Sequence, residues 1–237
     1  MKIALVVGAS RGIGLEIAKE LIINGYTVVA TCTDRNNLSI LKNKLTISKV
    51  SNDSVLVYPL DVRNESQVEE FSHLINTKFN KLDALINCAG ITEPECVNTE
   101  FEKTEIWDNV MAVNLRGSFL TCKYFIPLLK KSNIAHIINF SGGLGLFSNG
   151  MDGGTMPAYR ISKTGINALS LIIAKELITD KIMVTSFDPG WVKTDLGGPD
   201  APKDPQTVAK EILKVLNMKF DSKISGSLIK EGNIIPY

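Results

Sequence analysis

Two residues carry the first chemical signal. Tyr159 and Lys163, in Ala158-Tyr159-Arg160-Ile161-Ser162-Lys163, stand four apart, so on a helix they lie one above the other on one face. A free phenol titrates near pKa ~10 and is a poor acid at neutral pH. A nearby ammonium favours the phenolate and lowers that value. Bringing it close to neutrality takes roughly 4 kcal/mol of differential interaction, within reach of a close, partly desolvated pair. A phenol tuned this way donates a proton to a carbonyl oxygen or takes one from an alcohol. On its own the spacing more often marks a solvated pair or a lysine lying along its helix. The rest of the chain must supply the context.

The positioning elements are legible from the N-terminus onward. Lys2–Val7 reads as a buried strand, followed by Gly8-Ala9-Ser10-Arg11-Gly12-Ile13-Gly14 and an apolar helical pattern through Leu15, Ala18, Leu21 and Ile22. That helix is expected to stop at Asn24-Gly25, and 27–32 is the second strand. Strand, glycine turn, helix and strand make a βαβ unit. Glycines let a phosphate approach the main chain closely. The helix N-terminus offers free N–H groups and a positive dipole to a pyrophosphate. The loop is therefore a dinucleotide-binding candidate, although its spacing is G-x-x-x-G-x-G rather than G-x-G-x-x-G.

The alternation persists. Leu38, Leu41 and Leu45 mark a second helix, 55–60 a third strand, and Asn64-x-x-Gln67 a capping box that opens a third helix. Ala84–Asn87 is the fourth strand, followed by Cys88-Ala89-Gly90 and an irregular stretch over 91–103. A long helical region follows, jointed near Asn114 and Gly117. Strands are expected at 135–140, 183–188 and 227–230. A glycine-rich loop at 142–154 leads into the Tyr159 helix, which should end near Ile178, and Asp204-Pro205 starts a late helix. The fold class is α/β: one Rossmann-type, doubly wound parallel sheet of about seven strands with helices on both faces. Absence of a linker, repeat or low-complexity tract predicts one domain over 1–237. Ligands of such sheets bind beyond the carboxyl ends of the strands, where Gly8, Asn87, Ser141 and Pro189 all fall.

Composition narrows the class. Hydrophobic content of 44%, charged content of 22% and a net charge of +1 suit a soluble globular protein and point to neither nucleic acid nor a membrane surface as partner. No apolar run approaches ~20 residues, and the N-terminal run is too short for a signal peptide. Cys32, Cys88, Cys96 and Cys122 form no C-x-x-C pair, and His73 and His136 are isolated. The expectations are a cytoplasmic, reduced chain and no metal site.

Taken together, the motifs resemble the short-chain dehydrogenase/reductase family over essentially the whole chain. The matching pieces are Gly8-x-x-x-Gly12-x-Gly14, Asp61-Val62, Asn87-Cys88-Ala89-Gly90, Asn114, Ser141, Tyr159-x-x-x-Lys163 and Pro189-Gly190-Trp191-Val192-Lys193-Thr194. The last stretch, with Gly226-Ser227-Leu228-Ile229-Lys230-Glu231-Gly232, is similar to the carbonyl-reductase-like branch. The resemblance implies an NADPH-dependent reduction of an aldehyde or ketone, with Tyr159 as acid/base, Lys163 tuning it and holding ribose hydroxyls, and Asn114 anchoring a water. It implies a dinucleotide site from Gly8, Ser10, Arg11, Gly12, Ile13, Gly14, Thr33, Arg35, Asp61, Val62, Asn87, Ala89, Gly90, Tyr159, Lys163, Pro189, Gly190, Val192 and Thr194. A small carbonyl or alcohol is the implied substrate. The family admits a homodimer, a homotetramer or a monomer.

The chain departs from the family pattern in three places. The usual Ser-Ser pair is Ser141-Gly142, so the serine that polarises the substrate carbonyl is missing, with Ser141 or Ser148 as candidate substitutes. Val7 stands where threonine is usual, and Cys88 where asparagine is frequent. For the cofactor, NADP(H) is favoured over NAD(H). No carboxylate occupies the second-strand end at Cys32-Thr33, and Arg11 and Arg35 can pair with a 2′-phosphate. Asp34 argues the other way. Phe147, Met151, Met156, Trp191 and Leu196 are expected to line an apolar pocket. The alternatives are a sterol, sugar-alcohol or pteridine enzyme on the same tyrosine, and a dinucleotide-binding sensor without catalysis.

Overall fold

β1 (Lys2–Val7) is buried on both faces, and its alternation sends Ala4 and Val6 one way and Ile3, Leu5 and Val7 the other. Each set joins a separate apolar layer, which is why the strand is a nearly unbroken hydrophobic run. The computed structural model describes residues 1–47, 54–151 and 153–237; Asp152, inside the glycine-rich loop expected at 142–154, lies outside them. Around β1 the chain builds β2 (Tyr26–Cys32), β3 (Val55–Pro59), β4 (Ala84–Asn87), β5 (His136–Phe140), β6 (Met183–Phe187), β7 (Leu228–Lys230) and β8 (Asn233–Ile235). The sheet order is β3-β2-β1-β4-β5-β6-β7-β8, parallel throughout except for the β7–β8 hairpin.

Helices cover both faces. α1 (Gly12–Ile23), α2 (Leu38–Leu45) and α7 (Pro205–Leu216) pack on the Ala4 side. α3 (Glu65–Phe79), α5 (Gly117–Leu129) and α6 (Pro157–Glu176) pack on the Leu5 side, where Phe125 meets Phe71 edge-on with centroids 5.7 Å apart. α4 (Thr104–Met111) continues into α5 through a π-helical turn at Ala112–Arg116. This is the joint expected near Asn114, and its form is one that often marks functional positions.

Local signals explain the boundaries. Asn64 Oδ1 accepts the Gln67 N–H at 3.1 Å, as a capping residue should, but Gln67 Oε1 reaches past Asn64 to the Asp61 N–H at 3.2 Å. α1 ends before Gly25, whose φ of 80° is the left-handed conformation that lets the chain turn back into β2. α6 ends two residues short of the expected Ile178. The sheet holds one strand more than expected. β8 follows a tight turn through Glu231 (φ 51°) and Gly232 (φ 81°). At three residues it is too short to show a period of two in the sequence.

Candidate active site

The order of the sheet reverses between β1 and β4, and the loops leaving these strands part there. Packing fixes how closely they lie. A Cβ on Gly8 would sit 2.7 Å from the main chain of Ala89, and one on Gly14 would sit 2.2 Å from the Gly8 carbonyl oxygen. Only glycine fits at either place, so these residues serve strand and helix packing as well as any phosphate. Thr31 on β2 accepts the Gly8 N–H at 3.2 Å through its Oγ1. A neighbouring strand thus supplies a hydroxyl to the loop where Val7 has none.

The α1 N-terminus suits an anion. Its cap residue Arg11 makes no side-chain hydrogen bond to the helix, and no acid lies in the first turn. Gly12 lies under Thr194, whose Cγ2 would be 3.1 Å from an added Cβ, so the loop after β6 roofs the glycine loop. Thr194 Oγ1 accepts the Gly197 N–H at 3.1 Å, and its carbonyl accepts the Gly198 N–H at 2.8 Å. Arg11 Nη1 crosses to Asp195 Oδ2 at 2.9 Å, away from the β2 end where a 2′-phosphate partner was expected. Both side chains are about 70% exposed (72% and 69%), so the pair holds little energy and the guanidinium can swing. Thr33 and Arg35 are exposed after β2. Asp34 is turned onto its own turn of helix, with Oδ1 accepting the Asn36 N–H at 2.9 Å and Oδ2 the Asn37 Nδ2 at 3.0 Å. Asp61 is held by Arg63, whose Nη2 lies 2.7 Å from Oδ2; that hydrogen bond keeps the carboxyl below its usual range. Val62 is buried against Gly117.

At the other end of the crevice, Lys163 is 5% exposed and its Nζ donates to the Phe140 carbonyl at 2.8 Å. The same Nζ lies 5.3 Å from the centroid of the Tyr159 ring. Gly90 adjoins both Asn114 and Lys163: an added Cβ would be 3.5 Å from Asn114 Oδ1 and 3.6 Å from Lys163 Nζ. Asn114, in the π turn, grips Ile91 twice, accepting its N–H at 2.8 Å and donating to its carbonyl at 2.9 Å. The structure therefore brings Tyr159, Lys163, Asn114 and Gly90 together. Asn87 is different. Its side chain donates to Asn139 Oδ1 and accepts from Thr121 Oγ1, both at 2.8 Å, inside the core. Contact with a dinucleotide would fall to its main chain.

Burial and neighbouring carboxylates act on the phenol as well as the cation that spacing reveals. Burial, then the Asp188 and Glu93 carboxylates, push the Tyr159 phenol up to about 12. Burial draws Lys163 down to about 8 against the opposing pull of Cys88 and Asp188. In this arrangement burial favours the protonated phenol and brings the ammonium down to about 8, above neutrality. Asp188, 1% exposed, accepts the Gly190 N–H at 2.9 Å and stands 3.2 Å from Lys230 Nζ. Burial also pushes the Cys88 thiol up to about 12, where it is unreactive.

The serine question resolves geometrically. Ser141, 1% exposed, donates through Oγ to the Lys163 carbonyl at 3.2 Å and so faces the α6 backbone. Ser148 Oγ donates to the Pro236 carbonyl at 3.2 Å. Neither hydroxyl is turned to the phenol. Position 142 is: a Cβ on Gly142 would stand 3.5 Å from the Tyr159 hydroxyl, and its φ of 172° is open to any residue. Of the expected lining residues, Phe147, Trp191 and Leu196 are exposed, while Met151 and Met156 are partly buried. Proximity to the site also brings in Glu93, Asp188, Ser162 and Asp195, which spacing did not single out. An acid closing an apolar strand just before Pro189-Gly190 was a readable sign for Asp188; Glu93 sits in the irregular stretch and offered none.

Comparison with known proteins agrees with the fold. The short chain dehydrogenase family profile matches residues 2–204. An uncharacterized oxidoreductase of Staphylococcus aureus (strain MW2) is 31% identical over 220 residues, 91% of this chain and 90% of that protein. The structure of an NADPH-bound carbonyl reductase from chicken fatty liver superposes with a TM-score of 0.87 at 26% identity, covering 100% of both chains. The carbonyl reductase Sniffer of D. melanogaster superposes at 0.86 with 28% identity, over 100% of this chain and 99% of that one. The chain belongs to the short-chain dehydrogenase/reductase family and is an NAD(P)-dependent oxidoreductase. Among the described residues no three His, Cys, Asp or Glu side chains stand together as a metal site, and no helix is long and apolar enough to cross a membrane.

Gly142→Ser should place a hydroxyl beside the phenol and raise turnover about tenfold or more, since one well-placed donor is worth ~10²–10³ in rate. Unchanged or lower turnover in a folded variant would show that position 142 is not a vacant donor site.

Proposed function

We propose that the protein reduces an aldehyde or ketone to an alcohol with NADPH, Tyr159 delivering the proton. The observation that carries this is the Tyr159 ring with the buried Lys163 Nζ 5.3 Å from its centroid, at the strand ends beside Gly90 and Asn114. The bound nicotinamide supplies a hydride to the carbonyl carbon. Gly8, Ser10, Gly12, Ile13 and the α1 N-terminus would hold the pyrophosphate, Asp61, Val62, Ala89 and Gly90 the adenosine half, and Pro189, Gly190, Val192 and Thr194 the nicotinamide end. Lys163 donates one N–H to the Phe140 carbonyl at 2.8 Å and has further donors for ribose hydroxyls.

Protonation states support reduction over oxidation. A phenol held near 12 carries its proton through the neutral range. The oxygen of a carbonyl being reduced becomes a far stronger base than a phenolate, so transfer from Tyr159 runs downhill. Oxidation would require the phenolate, which burial and two carboxylates oppose.

NADPH is supported by the β2 end, where Asp34 is engaged by its own turn and Thr33 and Arg35 stand exposed. The likeness to an NADPH-bound carbonyl reductase supports it too. We read residues 1–237 as one dinucleotide-binding unit. Phe119 on α5 and Ile161 and Ile172 on α6 are about half exposed (47%, 45% and 56%), which supports self-association through these helices.

A panel of aldehydes and ketones, followed by loss of NADPH absorbance, tests the reaction. Turnover of none of them by a protein that binds NADPH tightly would favour a sensor. Arg11→Ala should lower the NADPH-over-NADH preference about tenfold, as expected for loss of one charged phosphate contact. An unchanged ratio would remove Arg11 from the phosphate site. Below about 8 Lys163 is charged, and above it the charge is lost. The kcat for reduction should therefore be level near neutrality and fall as pH rises through about 8. A profile that stays level well past that point would dissociate catalysis from the ammonium.

A further inference from the structure

The first turn of α6 lacks a local cap. Met156 enters it with left-handed backbone (φ 60°, ψ 55°), and its side chain takes no hydrogen bond from the helix. Pro157 has no N–H to satisfy, and the Arg160 N–H returns to the Met156 carbonyl at 3.1 Å. Like Ala158 beside it, Tyr159 has an N–H that needs an acceptor from outside the helix. It finds one in Oε1 of Glu93, 66 positions away in sequence and 3.0 Å away in space. Glu93 is 4% exposed, and its Oε2 accepts from Thr92 Oγ1 at 3.2 Å. A carboxylate here also meets the positive end of the α6 dipole.

The carbonyl side of Tyr159 is held as well. Its oxygen accepts from Ser162 Oγ at 2.7 Å, and that Oγ in turn accepts from Asn114 Nδ2 at 3.0 Å. Asn114 grips both main-chain groups of Ile91, two residues before Glu93. The bonds close a circuit: Tyr159 N–H to Glu93, along the chain to Ile91, across to Asn114, on to Ser162, and back to the Tyr159 carbonyl. A second stitch, from the Met156 N–H to the Val97 carbonyl at 3.1 Å, ties the same loop to the helix entrance.

We infer that Glu93 is a positioning residue for the reaction: by accepting the Tyr159 N–H it fixes the first turn of α6 and so the aim of the phenol over Lys163. The inference rests on the reading of Tyr159 as proton donor. It differs from a plain stabilising cap because the bond lands on the reacting residue itself, in a site where small displacements are amplified into large rate losses.

Amide hydrogen exchange at Tyr159 and steady-state kinetics on the wild type, Glu93→Ala and Glu93→Gln test this. The glutamine Oε1 can accept the same N–H, so it is the rescue variant. In Glu93→Ala the Tyr159 amide should exchange about tenfold faster, as loss of a cap allows. Its kcat should fall roughly 10–100-fold, while NADPH affinity by fluorescence titration stays within about twofold. Glu93→Gln should recover both the protection and kcat to within about threefold of wild type. An alanine variant with an undisturbed amide, or with kcat within about twofold of wild type, would overturn the inference, as would a glutamine variant as impaired as alanine. If the wild type turns over no carbonyl compound, the proposed reaction fails, and the exchange data by themselves still decide whether Glu93 holds Tyr159.

Discussion

A positive charge kept almost free of water is the constraint around which the site is arranged. Removing an ammonium from solvent is costly unless it is hydrogen-bonded and paired. Lys163 has the Phe140 carbonyl as its hydrogen-bond partner and the Asp188 carboxylate within electrostatic range. The space beside its Nζ is kept clear by Gly90, and the helix that carries it is pinned to the β5 end by Ser141. These are strand-end features. They exist because the parallel sheet delivers β1, β4, β5 and β6 to one edge with their loops facing the same way.

Around this charge the protein sets carboxylates rather than a second hydroxyl. Asp188 and Glu93 both oppose ionisation of Tyr159, each through a different element. Asp188 closes β6 and is balanced by Lys230 at 3.2 Å. Glu93 belongs to the loop after β4 and is balanced by the α6 N-terminus. Together with the bare Gly142 position, this would give, on the proposed reaction, a site that keeps its proton firmly and polarises the substrate oxygen weakly. Reduction of an intrinsically reactive carbonyl suits that combination.

Regular periodicity made the architecture legible. Buried strands such as Lys2–Val7 and Ala84–Asn87, and amphipathic helices such as the one holding Leu38, Leu41 and Leu45, follow patterns that local sequence fixes. The Tyr159–Lys163 pair was legible because both partners sit on one helix, four residues apart. What the sequence concealed is long-range. Glu93 reaches Tyr159 from an irregular segment, and Thr31 serves the glycine loop from a neighbouring strand. The direction in which Ser141 points depends on a carbonyl of α6. Part of the electrostatic surroundings of Tyr159 was hidden for the same reason. Spacing reveals the neighbouring cation, while burial and the carboxylates from other strands and loops appear only once the chain is folded. β8 escaped notice through brevity.

The assignment of the proton to Tyr159 is tested most directly by single-turnover oxidation of bound NADPH in Tyr159→Phe, with cofactor affinity measured on the same samples. The phenyl ring keeps the packing over Lys163 and removes only the hydroxyl. The expected result is a loss of ~10³-fold or more in the chemical step, in the range of removing a general acid and an oxygen ligand together, with NADPH affinity preserved. A hydride-transfer rate close to that of the wild type would contradict the assignment.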